Sequence, residues 1–156
     1  MSKSTLPFEN YKPVTSNRVG VIIVAGGQST RMNGEDKTFI DIIGLPLIAH
    51  TILPFELSDK VHEIVLVLPQ KSLHHGKLLM SKLEYNKVSG VHMGGRTRQD
   101  SVRLGLKALK PCEWVIIHDG ARPCITQDLI DSGLKAVKNT GATIAGVPVT
   151  DTIKVV

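Results

Sequence analysis

Three glycine-bearing stretches concentrate the residues able to handle phosphate. The first reads Ala25-Gly26-Gly27-Gln28-Ser29-Thr30-Arg31-Met32 and runs through Asn33-Gly34-Glu35-Asp36 to Lys37. Paired glycines let backbone N–H groups approach a phosphate closely, and Arg31 and Lys37 carry the charge to neutralise its oxygens. The spacing is neither that of a Walker A loop nor GxGxxG, which argues against a dinucleotide held in the dehydrogenase manner. A tight turn with a surface arginine and lysine is the plainer alternative. The second stretch is Met93-Gly94-Gly95-Arg96-Thr97-Arg98-Gln99-Asp100-Ser101-Val102. Thr97 and Asp100 have capping-box spacing, so a helix opens here, and a glycine pair beside its N-terminus offers N–H donors to a phosphate or to the polar edge of a base. Plain capping of a tight turn accounts for the same residues. The third is His118-Asp119-Gly120-Ala121-Arg122-Pro123. A carboxylate such as Asp119 suits a hard cation that takes carboxylate and phosphate oxygens together, and Arg122 offers a fork for a second phosphate. The alternative is an Asp119–Arg122 pair across the turn.

These stretches need a scaffold, and the pattern around them supplies one. Val19 to Ala25 is a continuous apolar run rich in β-branched residues and closed by Gly26 and Gly27, which suits a strand buried on both faces. Glu63 to Leu68, ending at Pro69, and Trp114 to Ile117, ending at His118 and Asp119, repeat it. Ala142 to Val149 is a fourth candidate, weakened by Gly146 and Pro148. Leu47 to Leu57 follows Pro46 and reads as a helix; Val102, Leu106 and Leu109 mark a second helix face, and Leu129, Leu134 and Val137 a third. Strands alternating with helices predict an α/β, Rossmann-like layout with a mostly parallel sheet, whose ligands bind beyond the carboxyl ends of the strands. The first and third chemistry-bearing stretches follow predicted strands directly, as that rule requires.

Composition narrows the class. With 156 residues, 42% of them hydrophobic, the chain forms one domain that needs neither disulfide nor structural metal. Residues 1–18 form a polar tail without the apolar core of a signal peptide, no run is long enough to span a membrane, and Cys112 and Cys124 lack a paired motif; the expected location is cytoplasmic. Nineteen Lys and Arg against fourteen Asp and Glu give a net +5, which favours an anionic partner. The scattered aromatics do not resemble the stacking patterns of nucleic-acid binders. His74-His75 has no further ligand at metal spacing and reads as a solvated turn or helix face.

AGGQSTRM with a lysine soon after, GGRTRQDSV, HDGARP and PVTDTIK, in this order and separation, resemble the 2-C-methyl-D-erythritol 4-phosphate cytidylyltransferases of isoprenoid precursor synthesis. The resemblance spans Val19 to Val156. It implies a three-layer α/β/α nucleotidyltransferase fold and transfer of CMP from CTP to 2-C-methyl-D-erythritol 4-phosphate with release of pyrophosphate. Ala25, Gly26 and Gly27 would line the nucleotide, Arg31 and Lys37 would act on the triphosphate as catalytic residues, and Gly95 and Ser101 would recognise cytosine. Asp119 would hold Mg²⁺, while Arg122 and Thr152 would meet the acceptor phosphate, some of these contacts lying across a homodimer interface. Related enzymes that activate ribitol 5-phosphate share much of the pattern, so that acceptor, another nucleotide, or a nucleotide-binding module without turnover are the competing readings. Ser29 stands where a glycine is usual, the Arg31–Lys37 interval is short and resembles that of molybdopterin nucleotidyltransferases, and the domain, 19–156, is expected to be incomplete at its C-terminal end relative to the family.

Overall fold

The computed structural model describes residues 17–25 and 37–148. In chain order these form β1 (Val19–Val24), a 3₁₀ turn (Lys37–Phe39), a small hairpin of β2 (Asp41–Ile42) and β3 (Leu45–Pro46), then α1 (Leu47–Leu57) and β4 (Glu63–Leu68). A second 3₁₀ turn (Gln70–Ser72) leads into α2 (Leu73–Leu83), followed by β5 (Val88–Met93), α3 (Arg98–Ala108), β6 (Trp114–Asp119) and α4 (Gln127–Thr140).

β1 and β4 are buried along their whole lengths, which explains why their sequences are near-continuous apolar runs rather than alternating ones. They form the middle of a four-stranded sheet of order β5-β4-β1-β6, with every pairing parallel. Glu63, the one acid in these two strands, is buried yet partnered by Arg18 at 3.4 Å and by the Lys110 N–H at 3.2 Å. One sheet face packs Val21, Ile23, Ile64, Leu66 and Leu68 against Ile48, Ile52 and Phe55 of α1, Met80 of α2 and Ile130 of α4. The opposite face sets Ile22, Val24, Val65 and Val67 against Val102, Ala108 and Leu109 in and beyond α3. The expected three layers are therefore present, with three helices on one face and one on the other.

The chain lays down β1, β4 and β5 outward in one direction, then returns along α3 to place β6 on the far side of β1. The order reverses between β1 and β6, and such a reversal opens a crevice outside the carboxyl ends of the two strands. Val24 pairs with Asp119 at that end.

Four details differ from the sequence reading. β5 and α2 were not anticipated. Leu106 does not face the core: α3 meets the sheet through buried Ser101 and Gly105, and a Cβ on Gly105 would lie 2.5 Å from Ile22 Cγ2, so the helix sits too close for a leucine row. In α4 the buried anchor is Ile130 rather than its neighbour Leu129, which is exposed. Residues 142–148 form no strand and are exposed; no ladder partner for them exists among the described residues, and Val149 lies outside these. α4 ends on Gly141 in the left-handed conformation, φ 75°, and Gly146 and Pro148 deprive the following stretch of strand character.

Candidate active site

The site is built where the segments after β1, β5 and β6 converge. Ala25 follows β1, its N–H donating to the Val67 carbonyl at 2.9 Å, so the backbone leaves the sheet at a fixed point. Gly120 follows β6 in the same way, donating to the Val24 carbonyl at 2.8 Å. A side chain on Gly120 would put its Cβ 2.6 Å from Ala25 Cβ. Glycine is what lets these two loops touch. Thr51 Oγ1 of α1, fully buried, lies 3.0 Å from the Gly120 carbonyl and fixes the loop from below.

Lys37 opens the 3₁₀ turn on the return from the first stretch. Its position is set by its neighbours, since Thr38 is buried and Phe39 stacks on His75 of α2 with ring centroids 4.3 Å apart. His74 and His75 lie on an exposed face of α2, as the sequence suggests, and His75 there touches the segment carrying Lys37. Gly26, Gly27 and Arg31, like Thr152, lie outside the described residues.

The second stretch forms as the capping-box spacing predicts. Thr97 Oγ1 accepts from the Asp100 N–H at 3.0 Å, and the Asp100 carboxylate accepts from the Thr97 N–H at 3.3 Å. Ser101 is buried; its hydroxyl donates to the Thr97 carbonyl at 3.0 Å and accepts from the Gly95 N–H at 3.1 Å. The Gly94 N–H is taken by the Leu68 carbonyl at 2.8 Å. The glycine pair therefore presents no free N–H, as the capping alternative has it: both donors are consumed in holding the loop against β4 and α3.

Asp119 ends β6 with its carboxylate about a third exposed. Its Oδ1 accepts from Arg98 Nη2 at 2.9 Å and Nε at 3.2 Å, and its Oδ2 lies 3.1 Å from Arg122 Nη2. The pairing across the turn does form, and Arg98 joins it from another loop. His118 Nε2 lies 2.9 Å from the Arg122 carbonyl, and because a carbonyl only accepts, that nitrogen carries the proton. The ring also packs edge-on against Phe55 at 5.1 Å, pinning the loop to the core.

Arg98, His118 and Thr51 thus take part in the site without having been singled out in the sequence. Arg98 and His118 lie inside the quoted stretches; His118 meets Arg122 within its own loop, whereas the placement of Arg98 opposite Asp119 depends on tertiary structure. Among the described residues no group of three or more His, Cys, Asp or Glu is gathered to hold a metal, so Asp119 contributes a single carboxylate. That donor set suits a hard ion such as Mg²⁺, which keeps several waters and shares carboxylate with phosphate, and does not suit a metal needing an all-protein cage.

A doubly wound α/β domain with its polar loops at the reversal of strand order is the class that fold and site define. Comparison with known proteins is specific within it. The profile of the 2-C-methyl-D-erythritol 4-phosphate cytidylyltransferases matches residues 19–156. The 2-C-methyl-D-erythritol 4-phosphate cytidylyltransferase of Dehalococcoides mccartyi strain CBDB1 is 47% identical over 139 residues, covering 89% of this chain and 61% of that protein. Among solved structures, a 4-diphosphocytidyl-2C-methyl-D-erythritol synthase from Anaerococcus prevotii superposes with a TM-score of 0.65 at 26% identity, covering 79% of this chain and 52% of the other. Another crystal structure of a 4-diphosphocytidyl-2C-methyl-D-erythritol synthase gives 0.69 at 23% identity over 92% of this chain and 65% of the other, a likeness of fold. The chain belongs to the 2-C-methyl-D-erythritol 4-phosphate cytidylyltransferase family. It spans about 61% of the length of the Dehalococcoides relative.

Proposed function

We propose that this chain binds CTP and transfers its CMP moiety to 2-C-methyl-D-erythritol 4-phosphate, releasing pyrophosphate. The observation that carries the reading is the convergence of Ala25, the Gly95–Ser101 loop and Asp119 at the strand-order reversal, in a chain of this family. In the proposed reaction an acceptor phosphate oxygen attacks the α-phosphorus in line. A new P–O bond forms there as the bond to the β-phosphate oxygen breaks, and the electron pair leaves on pyrophosphate. A phosphate monoester is largely dianionic at neutral pH, its second pKa being about 6, so no general base is needed.

The protein's task is to bring two anions together and to offset charge gathering at the transferring phosphorus. Lys37 and Arg31 supply positive charge to the triphosphate. Ala25, Gly26 and Gly27 let the backbone approach it. Gly95 and Ser101, locked to one another, frame the cytosine. Arg122 and Thr152 bind the acceptor phosphate. Asp119 would hold Mg²⁺, whose chemistry there is neutralisation of phosphate charge. Among the described residues no helix is long and apolar enough to cross a membrane; a cytoplasmic enzyme acting as a homodimer is part of the same proposal.

The test is pyrophosphate release from CTP with Mg²⁺ and 2-C-methyl-D-erythritol 4-phosphate, with ribitol 5-phosphate as a parallel acceptor and calorimetric titration of CTP, UTP and GTP alongside. Preference for CTP with release driven by the methylerythritol acceptor supports the proposal. Release driven only by ribitol 5-phosphate reassigns the acceptor, a preference for GTP reassigns the nucleotide, and CTP binding without release leaves a nucleotide-binding module.

A further inference from the structure

Arg98 is the first residue of α3, and its guanidinium faces the one carboxylate at the end of β6. With Arg122 on the other oxygen, Asp119 is covered by two positive charges, and among the described residues neither arginine forms an ion pair with any other acid. The two arginines are not equivalent. Arg122 lies three residues from Asp119 in the same loop, whereas Arg98 reaches across from the loop after β5 and fastens one side of the crevice to the other. A cation at the N-terminus of a helix is also opposed by the helix dipole, so Arg98 occupies a position that favours an anion beside it. Both guanidiniums are largely exposed, at 60% and 75%, so exchanging their partner costs little.

Resting on the reading of Asp119 as a cation ligand, we infer that Arg98 is a positioning residue that makes binding of the divalent cation and of the nucleoside triphosphate depend on each other. A divalent ion arriving alone meets two guanidiniums and must displace N–H donors from the oxygen it needs. A triphosphate arriving alone meets an Arg98 whose charge Asp119 already offsets. When both arrive, the partners exchange: the carboxylate turns to the cation and Arg98 to the phosphates, leaving no charge unpaired. Binding of either ligand then favours the other by the same factor, as linkage requires.

The experiment measures Mn²⁺ binding to the whole chain by water-proton relaxation, and CTP binding by calorimetry with Mn²⁺ and with chelator, for the wild type, Arg98→Met and Asp119→Asn. In Arg98→Met, Mn²⁺ alone should bind about two- to fivefold more tightly, the worth of an exposed ion pair. CTP affinity in chelator should be unchanged, and CTP affinity with Mn²⁺ should fall. Asp119→Asn should remove Mn²⁺ binding. A purely structural Arg98 would instead lower the melting temperature without tightening Mn²⁺. Unchanged or weaker Mn²⁺ binding in Arg98→Met, with Asp119→Asn still abolishing it, would overturn the inference and leave Asp119 as the ligand. Mn²⁺ binding indifferent to Asp119→Asn would overturn both.

Discussion

At the scale of single residues, the site mixes groups held by several hydrogen bonds with groups exposed to water. Ser101 is of the first kind, because its buried hydroxyl satisfies the Gly95 N–H and the Thr97 carbonyl together. Ser101→Ala removes the acceptor of the Gly95 N–H, while the Thr97 carbonyl keeps the Ser101 N–H at 3.1 Å; losing one such hydrogen bond costs about 1 kcal/mol. Thermal unfolding should therefore shift down by about 2–4 °C, with weaker CTP binding on calorimetry; an unchanged melting temperature would show that the loop does not depend on this hydroxyl. Lys37 serves the chemistry in the proposed function. Lys37→Ala should lower kcat by about a hundredfold while changing the KM for CTP far less, since its charge matters most in the transition state. Steady-state kinetics with an unchanged kcat would remove it from the catalytic set. Arg122→Ala should raise the KM for the acceptor and spare CTP. Outside the site the two cysteines differ: Cys124 is exposed, while burial pushes the Cys112 thiol above its ordinary range. A raised pKa means less thiolate at any pH below it, so iodoacetamide at pH 8 should label Cys124 first, and labelling of Cys112 should quicken as pH rises. Mass mapping of the alkylated peptides decides this, and preferential labelling of Cys112 would contradict its burial beside Gly20.

At the scale of elements, two glycines set distances that the site relies on. A side chain at Gly105 drives into the buried Ile22, so Gly105→Val should destabilise the fold by about 2 kcal/mol, read as a lower urea midpoint. Gly120→Ala is the more telling change, because the added Cβ lies nearest Ala25, at 2.6 Å, with Ile48 at 3.0 Å beyond it, and would wedge the β1 and β6 loops apart. Helix content by circular dichroism should stay constant while CTP affinity falls; equal affinity would mean the two loops do not bind one ligand. These elements were unequally visible in the sequence. β1 and β4 stand out because burial on both faces forces an apolar run. β5, VSGVHM, is an edge strand broken by Ser89, Gly90 and His92, so its pattern signals no strand. α2 hides behind its histidine pair and Gly76, which is needed where the helix crowds Leu68. The opposite error occurred at 142–148, whose apolar residues suggest a strand that no described neighbour completes. The loops were legible as motifs, and Asp119–Arg122 was open as a pair. Arg98 against Asp119 was not, since that contact exists only after α3 has carried the chain across the sheet.

At the scale of the whole molecule, the sheet is closed in the middle and open at its rim. β6 has β1 on one side and no strand on the other among the described residues, and Ile117, Ile144 and Val147 are exposed. An open strand edge and exposed apolar side chains each invite association. Sedimentation velocity should show the average mass rising with concentration, and Ile144→Lys with Val147→Lys should reduce that rise; a monomer at all concentrations would remove the expectation. The order of the strands also has a kinetic side. The pairing of Gly20 with Glu63 closes a shorter stretch of chain than the pairing of Val19 with Trp114, and loop-closure entropy makes the more distant parallel pairing the slower one. The same pairing brings Asp119 beside Val24. The binding crevice is then expected to form late in folding, so Mn²⁺ and CTP added to a refolding reaction should leave the folding rate almost unchanged and slow the unfolding rate instead; a faster folding rate would place the crevice early.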